Sequence, residues 1–226
     1  MGARSKTAPR TLVVGDVHGC LDELQALVAL ARVTDDDRVV FVGDLVAKGP
    51  DSAGVIAWAR ERGAAAVLGN HDDHVLHALA GDPGSKAAHH QVARTLSAAD
   101  ADWLAALPLW WRVSSGDKPH VVIHAGMVAG VAVEKQAREH LLAMRSVTAD
   151  GRPSKRVEGA PWGALWPGPE HAVFGHDAVR GLQKHPMATG LDTGCVYGRE
   201  VTGLLLPAHK VGSVPARRAY AAMKAR

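Results

Sequence analysis

Three short β-prone runs near the start of the chain each stop at a glycine followed by a side chain that can hold a metal ion. Thr11–Val14 ends at Gly15-Asp16, Arg38–Val42 at Gly43-Asp44, and Ala65–Leu68 at Gly69-Asn70. Helical patterns lie between them. Leu21, Leu24, Leu27, Val28 and Leu30 recur at helical spacing. Asp51 or Ser52 can cap a second helix carrying Val55, Ile56 and Ala59, which Gly63 closes. The order β-α-β-α-β predicts a parallel α/β arrangement, in which sites form outside the carboxyl ends of the strands.

The rest of the chain reads as follows. Asp73–Ala80, Ala88–Ser97, Ala101–Leu107 and Glu134–Arg145 read as helices. Leu109–Ser114 and His120–His124 flank Ser115–Lys118 and read as a hairpin. Thr148–Pro161 is polar, carries Gly151, Pro153 and Gly159, and reads as a long loop. Ala172–Phe174, Gly190–Asp192 and Thr202–Leu206 read as late strands. No repeat or linker divides the sequence, so residues 1–226 read as one domain with a core at about 11–206. Hydrophobic residues at 47% and charged residues at 22% exclude disorder for the bulk of it. No apolar run reaches the length of a membrane span, and Met1 to Pro9 does not read as a secretory signal.

The 26 Lys+Arg against 23 Asp+Glu leave a mild +3, much of it near the ends in Arg4, Lys6, Arg10, Lys210, Arg217, Arg218, Lys224 and Arg226. Those ends read as solvated basic tails rather than a nucleic-acid face, and no specific nucleic-acid binding is expected. Cys20 and Cys195 are the sole cysteines and read as buried thiols, which suits a reducing cytoplasm. Trp103, Trp110 and Trp111 read as packing residues. Trp162 and Trp166 read as packing first and as a nucleobase platform second.

Counting later strands, five strand ends present metal-competent groups: Gly15-Asp16-Val17-His18-Gly19, Gly43-Asp44, Gly69-Asn70-His71-Asp72, His124-Ala125-Gly126 and Gly175-His176-Asp177. One Gly-Asp pair is ordinarily a turn, and one strand-end histidine is ordinarily structural. Five at successive strand ends form a pattern that turns alone do not explain. Carboxylate, imidazole and amide oxygen together suit Mn, Fe, Zn, Co or Ni better than Ca. A carboxylate can bridge two cations, which is how a dimetal phosphoryl-transfer site is built.

These five segments, with Lys48-Gly49-Pro50 after the second, resemble the motifs of the calcineurin-like metallophosphoesterases, specifically the phosphoprotein-phosphatase superfamily. Gly15–Leu24, Leu68–His74 and Leu191–Gly198 resemble its diadenosine tetraphosphate hydrolase branch. The resemblance covers residues 11–206 and implies a two-sheet β-sandwich flanked by helices, with a dimetal site at the strand ends. Protein phosphatases of the superfamily carry Gly-Asp-x-Val-Asp-Arg-Gly in the second motif, where this chain has Ala47 and Lys48. That combination resembles the ApaH-like phosphatases. Ala47 cannot orient a catalytic histidine, so Asp72, a backbone carbonyl or water must do so. Lys48 is a point charge without the planar fork of arginine.

Carried over by position, the resemblance implies that Asp16 and His18 bind one ion, Asp44 bridges, and Asn70, His124 and His176 complete the second. It implies His71 as general acid, with Asp72 beside it, and Lys48 as a phosphate grip. Arg145 is the candidate for a second phosphate contact and Arg138 its competitor; a solvated helix face is the plain alternative for both. His74, His77, His89 and His90 could add metal affinity, and surface positions explain them equally well. Tyr197 follows Asp192-Thr193-Gly194 and is expected near the site.

The implied cofactor is two divalent ions, first Mn, with Fe, Zn, Co or Ni as alternatives. The implied function is cleavage of phosphoanhydrides, foremost diadenosine tetraphosphate to ADP. The runner-up is a serine/threonine protein phosphatase acting on phosphoproteins, with inorganic polyphosphatase activity as a further possibility. A silent metal- or nucleotide-binding module is disfavoured, because every mapped ligand and His71 are present.

Overall fold

The structure is a computed structural model and describes residues 9–115 and 118–223. The hairpin tip at 116–117 and the basic residues Arg4, Lys6, Lys224 and Arg226 lie outside the described residues.

In chain order the elements begin with β1 (Thr11–Val14), α1 (Leu21–Leu30), β2 (Arg38–Phe41), α2 (Ser52–Glu61), β3 (Ala65–Ala66) and α3 (Asn70–Leu79). Then come α4 (Ala87–Ala93), α5 (Ala98–Ala105), β4 (Trp110–Ser115), β5 (Lys118–Ile123), α6 (Arg138–Ala143), β6 (Ser146–Val147), β7 (Pro153–Ser154) and β8 (Ala160–Pro161). The chain continues with β9 (His171–Phe174), β10 (Gln183–His185), β11 (Ala188–Gly190), β12 (Glu200–Leu206) and β13 (Lys210–Pro215). One sheet has the order β13-β12-β1-β2-β3 and the other β10-β11-β9-β5-β4. β1, β2 and β3 run parallel, as do β11, β9 and β5.

Strand alternation builds the layers. In β1, Leu12 and Val14 face the helices while Val13 faces the other sheet. In β2, Val39 and Phe41 go to the helical side, and Val40, with Val42 just past the strand, goes between the sheets. β5 and β9 repeat this: Val122 and Val173 enter the interior, and Val121, Ile123, Ala172 and Phe174 cover a third layer with Trp162 and Trp166. The fold is thus the expected α/β two-sheet sandwich with helices outside.

Several boundaries differ from the sequence reading. α3 starts at Asn70 rather than Asp73, because the Asp72 carboxylate accepts the Gly69 N–H and caps the helix. The 88–97 helix ends at Ala93, and Ser97 with Asp100 caps a separate α5. The 134–145 helix is a short 3-10 turn (Val133–Lys135) followed by α6. Thr148–Pro161 is not an open loop; β6, β7 and β8 make a small third sheet of it. The last expected strand before β12 lies earlier, at Ala188–Gly190, and β10 and β13 were not expected. Residues past 206, expected as a tail, add the edge strand β13. The Arg217 N–H and the Tyr220 hydroxyl then donate to Glu23 on α1. Trp111 is exposed rather than packed.

Candidate active site

The expected ligands come from five strand ends at one rim of the sandwich. Asp16 and His18 follow β1, Asp44 follows β2, Asn70 opens α3 after β3, His124 follows β5, and His176 follows β9. Asp16, His18, Asp44, His124 and His176 are buried. Glycine is needed where neighbouring ligands approach the backbone. A Cβ on Gly69 would lie 2.3 Å from Asp44 Oδ1, and one on Gly175 would lie 2.0 Å from Asp16 Oδ1. His18, Asp44, Ala47, Lys48 and His176 all have left-handed backbone, with φ between 49° and 70°. Such conformations cost energy and gather where geometry must be imposed.

Two donor groups meet at Asp44. In the first, the ligand atoms of Asp16, His18 and Asp44 fall within 4.8 Å of one another. His18 Nδ1–H donates to the Val46 carbonyl at 3.0 Å, so Nε2 turns a lone pair inward. In the second, Asn70 Oδ1 lies 3.0 Å from His124 Nε2 and 2.8 Å from His176 Nδ1. Both rings spend their N–H elsewhere: His124 on the Val42 carbonyl at 2.9 Å, His176 on the Ala143 carbonyl at 3.2 Å. His124 Nε2 also lies 3.5 Å from Asp44 Oδ1. Carbonyl acceptors that fix the tautomer are the usual support behind metal-binding histidines.

The charges fit a cation. Burial raises Asp16, and the neighbouring Asp192 and Asp44 carboxylates raise it further. Burial pushes Asp192 up to about 6. Burial also opposes charge on Asp44, but His124, His71, His18 and Lys48 around it hold it below the usual carboxylate range. Burial and Lys48 push His18 down to about 4, and burial lowers His124 and His176. Neutral imidazoles beside crowded carboxylates are the donor state a divalent ion requires. The Lys48 ammonium already stands 2.9 Å from His18 Nε2, and 5.3 Å from the centre of the Tyr197 ring. These residues therefore fit two divalent ions.

His71 sits beside this pair of groups. Its backbone N–H donates to Asp44 Oδ1 at 2.8 Å. Burial, with Lys48, His18 and His89 against the pull of Asp44, takes its imidazole down to about 2. Asp72 does not orient it. The Asp72 carboxylate is turned to backbone, accepting from Leu45, Val46 and Gly69 N–H at 3.0, 3.2 and 3.0 Å. It ties the loop after β2 to the start of α3. The partner of His71 is His89, whose Nε2 lies 3.4 Å from His71 Nδ1.

Arg145 lies at the other flank. Its Nη2 donates to the His176 carbonyl at 3.0 Å and its Nη1 to the Lys155 carbonyl at 2.9 Å. Arg138 is half-exposed and paired with Asp73, as the solvated-face alternative has it. Lys155 and Arg156 line a groove of about 370 Å³ with Glu139, His140, Ala143 and Met144. Trp162 and Trp166 are buried packing residues.

Sequence reasoning missed Asp192, and it named His89 for metal affinity without linking it to His71. Asp192 also follows a strand end, but the expected strand Gly190–Asp192 absorbed it.

A family model for calcineurin-like phosphoesterases matches residues 9–186. The chain belongs to this family. Among relatives, the asymmetrical bis(5'-nucleosyl)-tetraphosphatase of Bacillus velezensis is 31% identical, over 95% of this chain and 96% of its own. The symmetrical bis(5'-nucleosyl)-tetraphosphatase of Aromatoleum aromaticum is 30% identical, over 90% of this chain and 96% of its own. A crystal structure described as a diadenosine tetraphosphatase is 34% identical, covers 93% of this chain and 95% of its own, and superposes with a TM-score of 0.85. As a calcineurin-like phosphoesterase, the chain is a metal-dependent phosphohydrolase. Among the described residues, no helix is long and apolar enough to cross a membrane.

Proposed function

We propose that this phosphoesterase hydrolyses dinucleoside polyphosphates, with diadenosine tetraphosphate cut at its middle anhydride to give ADP. One observation carries the reading: a cationic side chain stands at each flank of the donor pair. Lys48 is at the His18 side, and Arg145 is hydrogen-bonded to the backbone of His176. A chain of phosphates needs contacts on both sides of the bond that breaks. The tetraphosphatase names of full-length relatives support the same substrate class. The relatives divide over which bond is cut, so the middle position is the part of the reading that products must decide.

Asp16, His18 and Asp44 would hold one ion, and Asp44, Asn70, His124 and His176 the other; we read both as manganese. When bound, the ions supply a water acidified toward neutrality and charge to offset the phosphoryl oxygens. Lys48 and Arg145 bind and orient the flanking phosphates. His71 Nε2–H donates to the leaving oxygen. At rest His89 can donate to His71 Nδ1; once the ring gains its second proton on Nδ1 that bond reverses, and Nε2–H is held toward the leaving oxygen. The negative charge of a bound polyphosphate favours the protonated ring and so aids transfer. The two free, buried thiols accord with a cytoplasmic protein.

The test is parallel turnover of diadenosine tetraphosphate, inorganic polyphosphate and a phosphopeptide with manganese, followed by product analysis. Preference for the tetraphosphate with ADP as sole nucleotide product is expected. AMP with ATP would move the cut to the outer bond. A better phosphopeptide rate would overturn the substrate class in favour of a protein phosphatase.

A further inference from the structure

A second donor cluster adjoins the site without belonging to either ligand group. His71 and His74, three residues apart on α3, share one helix face, and His89 projects from α4 beside them. One nitrogen from each of the three rings lies within 4.8 Å of the other two. The ring centres are 5.8 Å apart for His71 and His74, 5.6 Å for His71 and His89, and 5.0 Å for His74 and His89. His74 and His89 stack, but stacking does not explain why three rings bring a nitrogen to one place.

We propose that His71, His74 and His89 form a third metal site, selective for zinc-like ions, whose occupation withdraws His71 from catalysis. The donor set is imidazole alone. Three imidazoles with an open fourth position are a known zinc arrangement. Manganese stands at the weak end of the divalent order for nitrogen donors, and calcium and magnesium prefer oxygen. The cluster therefore discriminates against the ions read into the carboxylate-rich centre. His89 is buried and His71 half-buried, while His74 is exposed, so an ion and its water reach the cluster from the His74 side. The charges facing His89 are Lys86 and Lys48, which oppose a cation, and Asp44, which favours one. Binding needs no net proton release, because the N–H of His89 can move to its other nitrogen.

The consequence rests on the reading of His71 as proton donor. An ion on Nδ1 replaces the contact with His89 and holds the ring in the cluster, so Nε2 is no longer free to follow the leaving oxygen. Reactions that need help at the leaving oxygen stop, and those with good leaving groups continue.

The experiment starts from enzyme loaded with manganese. Zinc is added, and both metals are counted after desalting. Two manganese and one zinc per chain are expected. His74→Gln, at an exposed position outside the catalytic groups, should keep two manganese and wild-type turnover but lose the zinc; His89→Gln should lose the zinc as well. Zinc that enters only as manganese leaves, or that both variants retain, would overturn the site. Turnover separates the two layers of the idea: zinc should slow phenyl phosphate far more than p-nitrophenyl phosphate. Equal slowing with the third equivalent bound would leave the site standing and remove His71 as proton donor. Fewer than two manganese at the outset would count against the dimetal reading without touching the zinc count.

Discussion

The Lys48 ammonium lies 2.9 Å from His18 Nε2, on the nitrogen that the first donor group turns inward. A divalent ion on that nitrogen and an ammonium cannot share the place. Loading of an ion there is expected to move Lys48 outward, where the proposed phosphate contact would lie.

Lys48→Gln is expected to separate these roles. Metal content should stay at two equivalents, with affinity for the first ion unchanged or higher, because a competing cation is gone. A charge-assisted contact of about 1.5–3 kcal/mol corresponds to a loss of roughly tenfold to a hundredfold in kcat/KM. Metal analysis with steady-state kinetics checks it; loss of metal would place Lys48 among the supports of the ion site.

Asp44→Asn should remove metal and activity together. Asp44 is the group that meets both donor sets, through His18 at 3.4 Å and His124 at 3.5 Å. Two full equivalents of metal with unimpaired turnover in the purified variant would end its bridging role.

His71→Ala should keep both ions and lose turnover by the general-acid factor of ~10²–10⁴. The loss should shrink as the leaving group becomes more acidic. A loss of the same size across a series of aryl phosphates would mean that His71 positions substrate instead.

Gly175→Ala is expected to fail through Asp16. The added methyl would sit 2.0 Å from Asp16 Oδ1 and 2.6 Å from Val42 Cγ2. Metal content should fall, together with thermal stability. A variant that binds two ions with wild-type affinity would show that Asp16 can move aside.

Stability of the chelator-stripped protein should fall as the pH drops from 6.5 toward 4. Burial holds His18 and His171 down to about 4, and lowers His71, His89, His120, His124, His176 and His185 as well. For a histidine with a depressed folded pKa, the unfolded chain takes up the proton first, so acid favours unfolding. Asp16, raised well above the usual carboxylate range, and Asp72 and Asp192, raised to about 7 and about 6, pull the other way, since their folded forms bind protons more tightly. They are outnumbered. Thermal melts in a chelator between pH 7 and pH 4 check the sign, and a melting temperature that rises with acid would refute it.

The gathering of the expected ligands was legible because they lie next to strand ends, where glycine and candidate ligand are neighbours in sequence. Asp16, Asp44 and Asn70 needed no long-range information, and the alternation in β1 and β2 gave the layers. What failed has particular causes. Asp72 was one of three candidates to orient His71, but backbone N–H groups of Leu45 and Val46, 27 and 26 residues away in sequence, claim its carboxylate. β10 and β13 are edge strands, reading Gln-Lys-His and Lys-Val-Gly-Ser-Val-Pro, without a clean apolar alternation. His89 reaches His71 only because α4 folds back along α3, a tertiary fact that no local pattern encodes.

The left-handed backbone at Ala47 has a consequence for engineering. Ala47 is neither a proposed ligand nor a phosphate contact, yet its φ of 70° carries a side-chain penalty of about 1–2 kcal/mol. Its Cβ enters none of the proposed chemistry, while its N–H donates to Ser52 Oγ at 3.0 Å and fixes the turn. Ala47→Gly would relieve that penalty without removing any proposed reactive group, against an unfolded-state cost of about 0.4–1 kcal/mol and the loss of a buried methyl.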